Sequence, residues 1–130
     1  MATIFTRIIK GEIPCYKIAE DDDFIAFLDI NPLAKGHTLV VPKKEVDYLF
    51  DLDDNLLAGM NVFAKKVAKA IDKVSDCKRV GVAVLGLEVP HAHIHLIPIN
   101  DLYDIEFSKP KLKLNDQEFK EIAEKIRAAL

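Results

Sequence analysis

The chain has 130 residues, half of them hydrophobic and 30% charged, a balance that suits one packed, water-soluble domain over residues 1–130 and excludes a disordered or membrane-embedded chain. Lys and Arg number 18 against 21 Asp and Glu, a net charge of −3 with no basic stripe, so a nucleic-acid polymer is excluded as partner. An early charge and the lack of a long apolar run near the N-terminus predict no signal peptide, no membrane association and a cytoplasmic protein.

Thr3 precedes Ile4, Phe5, Ile8 and Ile9, a helical spacing closed by Gly11 and Pro14, which predicts a short helix with a Thr N-cap. Cys15 and, much later, Cys77 have no Cys-x-x-Cys partner and read as small packed thiols. Residues 16–20 and 24–29 are β-like runs joined by Asp21, Asp22 and Asp23, a solvated hairpin turn. Residues 31–36 form a loop by their Pro and Gly, and 37–42 a strand headed by His37 and ended by Pro42. Leu56, Met60, Phe63, Val67, Ile71 and Val74 recur at steps of four and three, so a long amphipathic helix over 54–74 turns that stripe to the core. Residues 79–86 are nearly continuously apolar, as in a strand covered on both faces, placing it mid-sheet or against a partner subunit. Residues 91–98 make the next strand, while 100–114 are mixed, loop-like and without an assignable role. Phe119, Ile122, Ile126 and Leu130 predict a last helix over about 116–129, opened by Asn115 with Glu118 at the capping-box position. No internal repeat or linker interrupts the chain. The order predicts an α+β domain: a mostly antiparallel central sheet, one long helix, and short helices at both ends.

Three of the four histidines are His91, His93 and His95, and the fourth is His37. On a strand the three share a face, while Ala92, Ile94 and Leu96 point to the other. A row of idle histidines is the bland reading, less apt for three alternate residues than for one. A metal site is the second, weakened because at ~3.3 Å per residue His91 and His95 lie ~13 Å apart, whereas ligands to one zinc must each reach within ~2.1 Å of it. The third is nucleophilic attack on phosphorus by a neutral imidazole while its neighbours donate protons or hydrogen bonds. His93, flanked on both sides, is the best-placed nucleophile.

His91-Ala92-His93-Ile94-His95-Leu96-Ile97 resembles the signature of the histidine-triad (HIT) proteins, His-φ-His-φ-His-φ-φ with φ apolar. The likeness runs from Ile4 to about Pro98 through residues 4–14, 27–30 and 36–43, and is nearest to the Hint-like nucleoside phosphoramidate hydrolases. It implies a HIT-like fold, a homodimer, and metal-free, cofactor-free hydrolysis at the α-phosphorus of a purine nucleoside 5′-phosphate derivative. By the same resemblance His93 takes the nucleotidyl group, His91 and His95 orient it and contact the phosphate, and His37 completes the cluster. Asp29 matches the residue that accepts both ribose hydroxyls, and Ile4, Phe5, Ile8, Phe27, Ile30 and Leu39 match the apolar positions that hold the purine.

The chain also departs from that pattern. Relatives of this branch carry Gly-Gln-Ser-Val where this chain has Gly86-Leu87-Glu88-Val89, followed by Pro90, and Val80 falls where relatives have an Asn near the phosphate. Glu45 follows Pro42-Lys43-Lys44 where many relatives place a histidine. The leaving-group side is thus rebuilt, and Glu88 there is expected to disfavour polyphosphate products and favour neutral or cationic amines. Two other functions use the same pocket: a nucleotide-binding adaptor with little turnover, and dinucleoside polyphosphate hydrolysis or nucleotidyl transfer.

Overall fold

A computed structural model describes residues 2–130. The α-helices are α1 (Ile4–Ile9), α2 (Asp54–Val74) and α3 (Asp116–Ala128), and the strands are β1 (Lys17–Glu20), β2 (Phe24–Leu28), β3 (Thr38–Pro42), β4 (Arg79–Ala83) and β5 (Ile94–Ile99), with short 3₁₀ turns at Leu49–Asp51 and Leu102–Ile105. All five strands join one antiparallel sheet in the order β1-β2-β3-β5-β4. This is the expected α+β architecture.

Each helix starts where its capping chemistry predicts. Thr3 accepts from the Thr6 N–H, Asp53 accepts from the Leu56 N–H, and Asn115 and Glu118 form a reciprocal capping box. The Met60, Phe63, Val67 and Ile71 stripe of α2 is buried against one sheet face with Val40, Ile94 and Leu96, and α3 adds Phe119 and Ile126 to the same core. Phe5, Ile25, Phe27, Leu39 and Val41 form a second cluster on the opposite face, where α1 packs. Sheet alternation accounts for both cores, because β2 and β3 are buried throughout.

Two sequence expectations need correction. The 79–86 run is not mid-sheet: the strand ends at Ala83 and lies on the sheet's edge, leaving Val82, Val84, Leu85 and Leu87 exposed. A continuous apolar run shows that two faces can accept cover, not what supplies it. Nor does the triad strand start at His91. β5 begins at Ile94, and Ala92 donates instead to the Val46 carbonyl at 2.7 Å. The β3–β5 ladder ends at Val40 and Ile94; its next pair would set Ala92 opposite Pro42, whose ring nitrogen has no hydrogen to extend it.

Candidate active site

Only His95 of the triad therefore sits on a regular strand, and His91 and His93 are held by their own bonds. The partners of each ring assign its tautomer. His91 Nε2 lies 2.8 Å from the Pro42 carbonyl oxygen, so it carries the proton and donates. His91 Nδ1 must then accept, and the Thr3 hydroxyl donates to it at 2.8 Å. That hydroxyl also caps α1, and Glu45 braces it by accepting from the Thr3 N–H at 2.9 Å and the Thr6 hydroxyl at 2.5 Å. Both nitrogens of His91 are thus committed.

His93 Nδ1 lies 2.7 Å from the His91 carbonyl oxygen, so it donates and leaves Nε2 with a free lone pair. His37 Nδ1 accepts from the Leu33 N–H at 3.0 Å, so its proton is on Nε2, which donates to His95 Nδ1 at 2.9 Å. His95 in turn bears its proton on Nε2. Among the described residues no fully buried side-chain nitrogen or oxygen lacks a partner. His93 Nε2 and His95 Nε2 have none within the chain, so neither atom is fully buried. One is an acceptor and the other a donor.

Burial sets the charge state. It pushes His37 down to about 3, with the neighbouring His95 and Lys111 adding to the drop. Burial likewise pushes His95 down to about 4, helped by His93, and lowers His91 against the opposing Pro42 carbonyl and Glu45. These three rings are neutral at neutral pH.

Asp29 follows β2 and meets this cluster at its far end. Its Oδ1 accepts from the Asn31 N–H at 2.8 Å, and its Oδ2 stands 3.5 Å from His37 Nε2. With His37 neutral and its proton directed to His95, that approach is not an ion pair. Burial raises the Asp29 carboxyl against the Asn31 bond; His93 and Lys111 pull it down, and exposed Glu88 pushes it up. Asp29, His37 and His95 place ligand-type atoms within 4.8 Å of one another. A metal on His37 Nε2 would need the ring proton on Nδ1, facing the Leu33 N–H, so the bonding in place opposes metal binding there.

The six apolar positions divide. Phe5, Phe27 and Leu39 are buried, Phe5 lying edge-on beneath His93 at 5.0 Å between ring centroids. Ile8 is half-buried, and Ile4 and Ile30 are exposed. A cleft of about 350 Å³ beside His93 is lined by Tyr48, Phe50, Leu85 and Leu87 among others. A larger groove of about 530 Å³ runs between the start of β1 and α3 past Cys15 and Arg127; no histidine lines it, so the smaller cleft is the chemical one.

Sequence reasoning missed three contributors. Thr3 carried a capping signal but no sign of its second bond to His91, Glu45 had no partner in view, and nothing flagged Phe107, whose ring meets His95 edge-on at 4.8 Å between centroids.

The HIT domain model matches residues 10–102. The chain belongs to the HIT family. Among HIT relatives, the adenosine 5′-monophosphoramidase hnt1 of Schizosaccharomyces pombe is 36% identical, with all of this chain and 99% of that protein covered. The crystal structure of a Hit-like protein involved in cell-cycle regulation from Bartonella henselae superposes with a TM-score of 0.85 at 38% identity, covering 98% of this chain and 96% of that one. A zinc-bound histidine triad family protein from Mycobacterium smegmatis gives 0.84 at 29% identity, covering 99% and 93%. HIT membership and the phosphoramidase relative support a nucleotide hydrolase.

Proposed function

We propose that this HIT protein, as a single domain over residues 1–130, hydrolyses a purine nucleoside 5′-phosphoramidate or a related derivative at its α-phosphorus. The observation that carries the reading is the tautomer of His93: its Nδ1–H is held by the His91 carbonyl, and its Nε2 lone pair is free at the cleft. In the first step Nε2 attacks phosphorus and the bond from phosphorus to the leaving nitrogen breaks. In the second, water attacks phosphorus and the phosphorus–Nε2 bond breaks. The leaving nitrogen takes a proton from solvent as it departs in the first step and the attacking water returns one in the second, so the net reaction consumes one water, a hydroxyl going to the mononucleotide and a proton to the amine.

His95 Nε2–H donates to a phosphoryl oxygen as charge builds there, and His37 keeps that proton in place. His91 positions His93 through its carbonyl. Asp29 accepts the ribose hydroxyls, the exposed Ile4 and Ile30 flank the base with Ile8, and Phe5, Phe27 and Leu39 support them from below. No metal or cofactor takes part, in keeping with the committed nitrogens of His37 and His91.

The molecule works as a cytoplasmic homodimer. A second copy covers Val82, Val84, Leu85 and Leu87 at the β4 edge, exposed apolar groups that continue into the cleft wall at Tyr48 and Phe50. Among the described residues no helix is long and apolar enough to cross a membrane.

The test is a panel of adenosine 5′-phosphoramidate, AMP-lysine phosphoramidate and a dinucleoside tetraphosphate, read by released mononucleotide. Release from the amidates is expected. AMP binding with no release from any substrate would replace this reading with that of a nucleotide-binding adaptor. Cleavage confined to the tetraphosphate would make it a polyphosphate hydrolase.

A further inference from the structure

Residues 100–114, which follow β5, bring Phe107 against the histidine cluster. The 3₁₀ turn Leu102–Ile105 opens this strap with an Asp101–Asp104 capping box and lies against β5. Gly81 on β4 lies beneath this turn: a Cβ there would fall 2.9 Å from Ile99 Cδ1 and 3.0 Å from Ile105 Cδ1, the flexible ends of two side chains. Further on, the Lys109 ammonium lies 3.7 Å from an Asp104 carboxylate oxygen, and Leu112 donates to the Pro32 carbonyl at 2.8 Å. The Lys111 ammonium donates to the Phe107 and Lys109 carbonyls. These ties hold one side chain over the site. The Phe107 ring meets His95 edge-on at 4.8 Å and 72°, and His37 at 6.3 Å and 80°.

We propose that Phe107 is a positioning residue for the reaction: its ring caps the His37–His95 hydrogen bond, excludes water from it, and so holds His95 with its proton on Nε2, the nitrogen that has no partner within the chain. The 2.9 Å bond between the rings is buried, and on the strap side the ring that reaches both imidazoles is that of Phe107. Without it water reaches His95 Nδ1 and competes with the His37 Nε2–H for that acceptor, freeing the ring to rotate or change tautomer. The charged and titratable groups around the pair are His93 on the β5 side, Asp29 after β2, and Lys111 on the strap, with Glu106 exposed next to Phe107. Burial of both imidazoles, which keeps them neutral, agrees with such a cap.

The inference rests on the proposed role of His95 but is tested apart from it. Phe107→Ala and Phe107→Leu are compared with the wild type by ¹⁵N NMR of the imidazole nitrogens across pH, and by kcat and KM on adenosine 5′-phosphoramidate. In Phe107→Ala, His95 is expected to lose its single tautomer and to take up a proton closer to pH 6.5, while kcat falls roughly tenfold with KM little changed. Phe107→Leu, which restores apolar cover, should recover most of both. An unchanged His95 tautomer and titration in a folded Phe107→Ala protein would overturn the proposal, whatever the activity. A lost tautomer with unchanged kcat would overturn the role of the cap in the reaction. Should the wild type show no turnover at all, the phosphoramidate reading fails while the NMR comparison still decides what Phe107 does.

Discussion

The carbonyl of His91 holds the Nδ1 proton of His93 at 2.7 Å, so one triad histidine fixes the next through backbone rather than through its ring. The nucleophilic nitrogen is chosen by this bond, and removing His93 should leave the rest of the pocket intact, since its ring makes no other hydrogen bond within the chain. In His93→Ala, turnover of adenosine 5′-phosphoramidate is expected to fall at least about 10³-fold, while AMP affinity measured by calorimetry stays within roughly threefold. Substantial residual turnover would place the nucleophile elsewhere.

Asp29 offers a second check, because its Oδ1 is already engaged by Asn31 and its Oδ2 is the freer oxygen. A hydrogen bond to a charged group contributes about 1.5–3 kcal/mol, so Asp29→Asn should raise KM for ribonucleotide substrates about 10- to 100-fold and change kcat less. The same substrates lacking ribose hydroxyls should show little further loss. Equal loss on ribose and dideoxyribose substrates would remove the ribose contact from the account.

The parts of this molecule with a regular period were legible in its sequence. The α2 stripe, the capping residues Thr3 and Asn115, and the Asp-rich hairpin are local signals that local geometry obeys. The spacing of the triad pointed to His93 but not to how His91 is held beside it, because the groups that fix the His91 ring are distant along the chain: Thr3 lies 88 residues and Pro42 49 residues from His91. Phe107 was invisible for a related reason. Its segment has no periodicity, and the bond that ties the segment back to the body of the protein, Leu112 to the Pro32 carbonyl, joins residues 80 apart, a separation like those of the His37–His95 and Thr3–His91 pairings. Pro42, readable as a strand end, also stops the ladder on the other side and so releases His91 and His93 from β5.

The buried histidines predict how stability responds to acid. His37 and His95 titrate near 6.5 when unfolded but near 3 and 4 when folded, so in between the unfolded chain binds more protons. Their contribution is full above pH 6.5 and is lost as pH falls toward 4 and then 3. Asp29, raised by burial, works the other way just above its ordinary value of 3.8 and offsets a little of the loss. Urea unfolding should therefore show stability falling by about 1 kcal/mol per pH unit per imidazole between pH 6 and 5. His37→Asn should flatten that slope. An identical slope in the variant would mean that His37 is already protonated in the folded protein.

Thr3 joins helix capping to the site, since one hydroxyl accepts from Thr6 N–H and donates to His91 Nδ1. Thr3→Ser keeps both bonds and should be nearly silent. Thr3→Val removes both; it should destabilise the fold by about 1 kcal/mol through the lost cap and lower kcat by letting His91 turn. Glu45→Gln, which preserves an acceptor for the Thr3 N–H, should fall between them. Thermal unfolding and kcat measured on the three variants check the coupling. A Thr3→Val protein with full kcat would show that His91 is held sufficiently by the Pro42 carbonyl.

Glu88 carries the question of leaving-group choice. It is exposed, and its negative charge disfavours ionisation of the like-charged Asp29, the same repulsion that a substrate anion nearby would meet. A polyphosphate leaving group brings several negative charges toward it, whereas an amine brings none or a positive one. Exposure limits the repulsion to a modest, salt-dependent size. Wild-type protein should accordingly prefer AMP-lysine phosphoramidate to a dinucleoside tetraphosphate. Glu88→Ser, which removes the charge, should narrow that preference by about three- to tenfold at low salt and less at high salt. A wild-type preference for the tetraphosphate, or a Glu88→Ser protein with unchanged selectivity at low salt, would show that the Glu88 charge plays no part in choosing the leaving group.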